Sequence, residues 1–222
     1  IPEPFYANYN GFAQASDVKV IPVTSKIEDN FALPSIELFE KKINNRTKAI
    51  LICNPCNPTG YVYSKEEIIN IANLAKKNDL FIIVDEVYRE FIYSDLKHFS
   101  ILEDETFFDN AILIDSTSKR YSLCGARIGF IVSKNSKFIE TCMKFALARL
   151  SPPTVALIAA NNALKSDNKY IDNVIKEYSM RRKVLIGELS KINNIEFSDP
   201  MGAFYSIIKL PVKNAEEFSK FL

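Results

Sequence analysis

Five short runs of mostly β-branched and aliphatic residues recur along the chain, separated by longer segments of helical period, and this alternation leaves few folds open. The runs are VKVIPV (18–23), AILIC (49–53), LFIIV (80–84), AILI (111–114) and IGFIVS (128–133). Between the second and third, residues 64–79 predict a crossover helix. Ser64 and Glu67 make a capping box there, and Ile68, Ile71, Ala72 and Ala75 fall on one face. Further helices are expected over about 136–149, after the SPP at 151–153, and over about 169–192, where Ile171, Val174, Ile175, Tyr178, Leu185, Leu189 and Ile192 share a stripe. Strands that alternate with helices in this way predict an α/β fold, a mostly parallel sheet flanked by helices.

Beyond the last long helix the pattern changes. DPMG (199–202) reads as a turn and AFYSIIKL (203–210) as a strand opening a different unit. A boundary is therefore expected near 195, with residues 1–195 forming a large domain and 196–222 the beginning of a small α+β domain. The chain starts at an isoleucine and stops inside KNAEEFSKFL, which reads as a helix without a C-terminal cap, so an internal piece of a longer protein is expected.

Charge and cysteine usage narrow the partners. The 222 residues carry 28 basic and 27 acidic side chains with no block of like charge, which argues against a nucleic-acid or anionic-membrane footprint. Small metabolites are the expected ligands. No apolar run approaches the roughly 18 to 20 residues of a membrane span, and IPEPFYANYN lacks the features of a signal peptide, so the cytoplasm is the expected location. Cys53 and Cys56 spell C-x-x-C, but no second pair of Cys or His lies at zinc spacing, and neither a metal nor a redox site is expected. The single histidine, His98, is expected on the surface or in a loop.

Three polar segments directly follow predicted strands: NPCNPTG (54–60), DEVY (85–88) and DSTSKRYSLCGARIG (115–129). In open parallel sheets such loops converge on one crevice at the carboxyl ends of the strands. The first offers Asn54 and Asn57 on a loop stiffened by proline, although the same residues suit a turn whose asparagines bond only to backbone. Asp85 ends an apolar strand, where a carboxylate needs a partner. A protonated ring nitrogen of a cofactor meets that need, and so does a nearby arginine. Tyr88 either presents its hydroxyl to the same ligand or packs. The third segment gathers Ser116, Ser118, Lys119 and Arg127, two hydroxyls and a guanidinium suited to a phosphate with one amine among them. An arginine near the lysine, together with desolvation, favours a neutral, nucleophilic amine. Arg120 has no role at this level.

Taken together, these segments resemble the fold type I, class I/II aminotransferases that use pyridoxal 5′-phosphate. NPCNPTG is similar to that family's N-P-x-N-P-T-G, DEVY to its D-E-x-Y, and STSKRYSLCGARIG to its S-x-S-K-x-x-x-x-x-G-x-R-x-G, in the family's order. EPFYANY (3–9) resembles the family's P-x-Y-x-x-Y and MGAFY (201–205) its opening of the small domain, so the likeness spans the chain. The resemblance implies that Lys119 is the Schiff-base lysine and that Asp85 pairs with the pyridinium nitrogen. It implies that Asn57 and Tyr88 bond the 3-oxygen, that Ser116, Ser118 and Arg127 hold the phosphate, and that Tyr6 stacks on the ring. Asn57 would also border the substrate.

The activity implied is a ping-pong transfer of an amino group between an amino acid, aspartate first, and a 2-keto acid, with the lysine amine as general base. A pyridoxal phosphate-dependent carbon–sulfur lyase on the same scaffold is one alternative, and a ligand-sensing domain of a transcriptional regulator is another. A homodimer is expected of the full protein. Ala126 stands where many members carry tryptophan. The family's N-terminal arm and phosphate-capping loop are expected before Ile1, and its substrate-carboxylate arginine beyond Leu222, so this piece alone is expected to bind the cofactor weakly and transaminate poorly.

Overall fold

The computed structural model describes residues 1–222 apart from 94 and 168. In chain order the elements are β1 (Pro2–Glu3), α1 (Asn8–Ala15), β2 (Val23–Thr24), α2 (Ile36–Glu40), β3 (Ala49–Cys53), α3 (Lys65–Lys77), β4 (Phe81–Asp85), β5 (Ala111–Ser116), α4 (Thr117–Arg120), β6 (Gly129–Val132), α5 (Ser136–Arg149), α6 (Thr154–Leu164), α7 (Lys169–Leu189), β7 (Glu196–Phe197), β8 (Ile208–Lys209) and α8 (Ala215–Phe221). Short 3₁₀ turns join several of them.

The central sheet has the order β3-β4-β5-β6. Its first three strands run parallel, and β6 closes the edge antiparallel to β5, so the sheet is mixed and mostly parallel. The crossover helix α3 forms as its capping box dictates: the Glu67 N–H donates to Ser64 Oγ at 3.2 Å and the Ser64 N–H to Glu67 Oε2 at 2.8 Å. Its buried face of Ile68, Ile71, Ala72, Leu74 and Ala75 meets Ile50, Ile52, Ile82, Val84 and Leu113 of the sheet in one apolar core. Alternate β4 residues, Ile82 and Val84, are fully buried, and a slip of one residue would turn both away from that core, which fixes the register.

Two expected strands shrink. Of the run 18–23, only Val23 joins a strand, because Val18 and Ile21 stay exposed while β2 pairs with the two residues of β1. Of the run 203–210, only Ile208 and Lys209 do so, pairing with β7. The residues before them are bound elsewhere. The Met201 and Gly202 N–H groups donate to the Gly60 carbonyl at 2.8 and 2.9 Å, and the Ala203 N–H to that of Phe91 at 2.8 Å. Backbone bonds to neighbouring loops thus replace a sheet ladder, and the segment 201–205 lies against the loops at the strand ends. His98 does sit in a loop but is not a free surface residue, since its Nε2 lies 2.9 Å from Oε2 of the fully buried Glu86.

Candidate active site

Because Cys53 pairs with Asp85 and Asp85 with Ile114, the segments after β3, β4 and β5 leave from one edge of the sheet side by side. The loop 54–60 is anchored by its first asparagine. Asn54 is fully buried, its Oδ1 accepts from the Tyr63 N–H at 2.9 Å, and its own N–H donates to the Asp85 carbonyl at 2.9 Å. Asn54 therefore takes the turn-building part that the sequence left open. Asn57 turns the other way, its Nδ2 reaching the Tyr88 hydroxyl at 3.5 Å. Gly60 completes the loop at a φ of +73°, where an added Cβ would lie 2.3 Å from Cβ of Pro200 and 2.8 Å from the Tyr205 carbonyl.

Asp85, half-buried at the end of β4, is held by hydroxyl and backbone donors rather than by an arginine. Its carboxylate accepts from the Tyr9 hydroxyl at 2.7 Å and from the Val87 N–H at 3.2 Å. Burial pushes the Asp85 carboxyl above the ordinary value, and these two donors only partly offset it. The Tyr9 phenol is pushed well up by burial and by the neighbouring Cys53 and Asp85, so it remains a donor. Cys53 and Cys56 are buried free thiols, both raised by desolvation, and Cys53 Sγ donates to the Pro55 carbonyl at 3.3 Å. Among the described residues no group of three or more His, Cys, Asp or Glu could hold a metal ion.

Next to Asp85, Glu86 faces the interior and accepts from Ser100 Oγ at 2.9 Å and the Ile101 N–H at 3.1 Å, in addition to its contact with His98. Tyr88 is buried, and its hydroxyl shares a 2.8 Å hydrogen bond with that of Tyr205. Burial and the Tyr205 contact push the Tyr88 phenol far above its ordinary range, which keeps its proton in place.

After β5 the chain turns into α4. Ser116 Oγ accepts from the Ser118 N–H at 3.0 Å and lies 2.8 Å from Ser118 Oγ and 2.9 Å from the Ile128 carbonyl, so two hydroxyls meet at the head of that turn. Lys119 extends its Nζ toward the edge-on pair of Tyr88 and Phe204, 5.9 Å from each ring centre. Arg120 points the opposite way into the protein. Its Nη2 contacts Asp115 Oδ2 at 2.9 Å and Glu90 Oε1 at 2.8 Å, while Arg89 lies 3.3 Å from the same Asp115 oxygen and 3.2 Å from Glu90. This four-charge network ties the segment after Tyr88 to the turn that carries Lys119.

Two expected site residues stand further out. Arg127, at a φ of +58°, is exposed and donates to the Cys124 carbonyl of its own loop at 2.9 Å, one residue before the Ile128 carbonyl that Ser116 contacts. Tyr6 is exposed with its ring edge-on to Tyr9, centres 5.5 Å apart, and its hydroxyl accepts from Asn8 Nδ2 at 2.7 Å. The structure thus brings Asn57 to Tyr88, Ser116 to Ser118, and Lys119 to the Tyr88 ring, and leaves Arg127 and Tyr6 at the rim. It also adds Tyr9 and Tyr205, which sequence reasoning misses. The motif EPFYANY holds two tyrosines, and only the unmet need of Asp85 for a donor could have singled out Tyr9. Tyr205 carries no local signal, since its place follows from the docking of 201–203.

The sequence model of the family described as aminotransferase class I and II matches residues 1–222, the whole chain. The chain belongs to that family. The aspartate aminotransferase of Pyrococcus abyssi is 34% identical over 227 residues, and the match covers 100% of this chain and 58% of the relative. Aromatic-amino-acid aminotransferase 2 of Thermococcus litoralis is 30% identical, again over 100% of this chain and 58% of the relative. Among solved structures, the aspartate aminotransferase of Thermotoga maritima superposes with a TM-score of 0.89 at 31% identity, over 100% of this chain and 57% of that one. This aminotransferase-family chain therefore spans a little over half the length of these relatives. The family depends on pyridoxal phosphate, and the donor set fits that group: an amine, a half-buried acid, a paired phenol and amide, and two adjoining hydroxyls. No helix among the described residues is long and apolar enough to cross a membrane.

Proposed function

We propose that this chain forms the cofactor-binding core of a pyridoxal 5′-phosphate-dependent aminotransferase that moves an amino group between an amino acid, aspartate first, and a 2-keto acid. The observation that carries the reading is the meeting of Lys119, Asp85, Asn57 with Tyr88, and Ser116 with Ser118 at adjoining strand ends. The bound cofactor would supply an electron sink for charge developing at the substrate's α carbon.

The side chains would do the rest. Ser116, Ser118 and Arg127 would hold the phosphate, for which Arg127 would have to give up its bond to the Cys124 carbonyl. Asp85, kept in place by Tyr9 and the Val87 N–H, holds a proton at the ring nitrogen. Asn57 and Tyr88 orient the ring through its 3-oxygen, Asn57 also bordering the substrate, and Tyr6 covers the ring face from the rim. The Lys119 amine would hold the cofactor covalently and would be the base that moves a proton at the substrate's α carbon. The Tyr88 and Phe204 rings stand on one side of that amine, 5.9 Å from it.

On the same reading residues 1–195 belong to the large domain and 196–222 open the small one. The full protein is a cytoplasmic homodimer, with exposed apolar side chains on α5 and α6, among them Phe145, Leu147 and Val155, as the support for self-association. Addition of pyridoxal phosphate, borohydride reduction and peptide mapping test the core assignment: the label is expected on Lys119, and a label on another lysine overturns it. Amino-acid turnover is expected to require an added keto acid; ammonia release without one overturns the transferase reading in favour of a lyase.

A further inference from the structure

Tyr205 has no part in that cofactor assignment, yet its hydroxyl lies closer to the Tyr88 hydroxyl than the Asn57 amide does, at 2.8 Å against 3.5 Å. Its place is fixed by backbone. The N–H groups of residues 201, 202 and 203 bond to Gly60 and Phe91, and the Tyr93 hydroxyl donates to the Ala203 carbonyl at 2.6 Å. Gly60 and Gly202 have no room for a Cβ, so neither loop slides past the other. The Tyr205 ring then meets Tyr88 edge-on, centres 5.6 Å apart at 89°.

A phenol has one proton to give and oxygen lone pairs with which to accept. When two phenols share one hydrogen bond, one spends its proton on the other. If Tyr88 donated to Tyr205, it would have no proton left for a ligand. If Tyr205 donates, the Tyr88 proton is free, and accepting a bond makes Tyr88 a better donor in its turn. The acceptor that the cofactor would place before it is the ring's 3-oxygen, and the Tyr88 phenol stays protonated throughout the ordinary pH range.

We propose that Tyr205 is a positioning residue for the cofactor: its hydroxyl donates to Tyr88, so that the Tyr88 proton is directed at the 3-oxygen. The segment 201–205 then acts as part of the cofactor site. This inference rests on the pyridoxal phosphate reading, and the test separates the two.

Pyridoxamine 5′-phosphate and its 3-deoxy analogue, which form no covalent bond to Lys119, are titrated into the full-length protein and into its Tyr205→Phe, Tyr88→Phe and double variants. Phenylalanine keeps the ring contacts, and a thermal melt confirms folding. Tyr205→Phe is expected to weaken the 3-hydroxy ligand by about 2- to 10-fold, the worth of one hydrogen bond, and to leave the 3-deoxy ligand unchanged. In the Tyr88→Phe background the Tyr205 substitution is expected to have no effect. Equal weakening of both ligands, or of neither, overturns the relay. Failure of the unsubstituted full-length protein to bind pyridoxamine phosphate, or to prefer it over the 3-deoxy ligand, overturns the site reading itself.

Discussion

The Tyr9 hydroxyl donates to Oδ2 of Asp85 at 2.7 Å, joining the first turn of α1 to the end of β4 across 76 positions of chain. Tyr9→Phe removes that donor and leaves the Val87 N–H to the carboxylate. A hydrogen bond to a charged, part-buried group is worth about 1.5–3 kcal/mol, so a loss of that size is expected in urea unfolding at neutral pH. An unchanged midpoint with unchanged slope would refute it.

The same carboxyl gives a pH dependence with a definite sign. Burial holds Asp85 above its ordinary value in the folded chain, so folding favours the protonated form. Its contribution to stability is full below the unfolded value of about 4 and is lost as pH rises through the folded pKa. In the cofactor-free chain, the stability of Asp85→Asn relative to the unsubstituted chain is therefore expected to rise as pH rises from about 4 and then to level off. A difference that is flat across that range, or that shrinks, would show that burial does not dominate at this carboxyl.

The sheet and its helices were legible because they rest on local periodicity. AILIC returned as β3 residue for residue, and Ser64 with Glu67 set the start of α3. The strands lost from 18–23 and 203–210 had suitable side chains but found other backbone partners, which local sequence does not encode. Asn57, Asp85, Tyr88, Ser116, Ser118 and Lys119 were legible as residues that follow strands, and the parallel register then places them together. Arg120 was not. Its neighbours in sequence are candidate site residues, but its partners, Glu90 and Asp115, are not, and they become visible only when β4 and β5 are paired.

Arg120 is buried between those two carboxylates, and removing it leaves both to share the single, more exposed cation Arg89. Arg120→Met is expected to cost about 3–5 kcal/mol in equilibrium unfolding. Arg120→Lys is expected to recover only part of it, since an ammonium cannot reproduce the planar fork of donors. The exposed pair of Lys77 with Glu40, at 3.3 Å, is the control: Lys77→Met is expected to change stability by no more than about 1 kcal/mol. Equal costs for the two methionine variants would mean that the buried network does not brace the Lys119 turn.

Gly60 and Gly11 make opposite predictions from the same substitution. At Gly60, a Cβ would stand 2.3 Å from Cβ of Pro200 and 2.8 Å from the Tyr205 carbonyl, on a backbone with φ of +73°. Pro200 and the Tyr205 carbonyl are not flexible side-chain ends, so relief requires the segment 200–205 to move away from the loop 54–60. Gly60→Ala is expected to lose about 1–3 kcal/mol from overpacking and to weaken cofactor binding as well, because the displaced segment carries Tyr205. At Gly11, inside α1, a Cβ meets nothing within 4 Å. Gly11→Ala is expected to gain about 0.5–1 kcal/mol, since glycine loses more backbone freedom on entering a helix than alanine does. Urea midpoints of the two variants, set beside their affinities for pyridoxamine phosphate, check both signs. A Gly60→Ala chain with unaltered stability and affinity would show that the 201–205 segment is not seated against the loop 54–60.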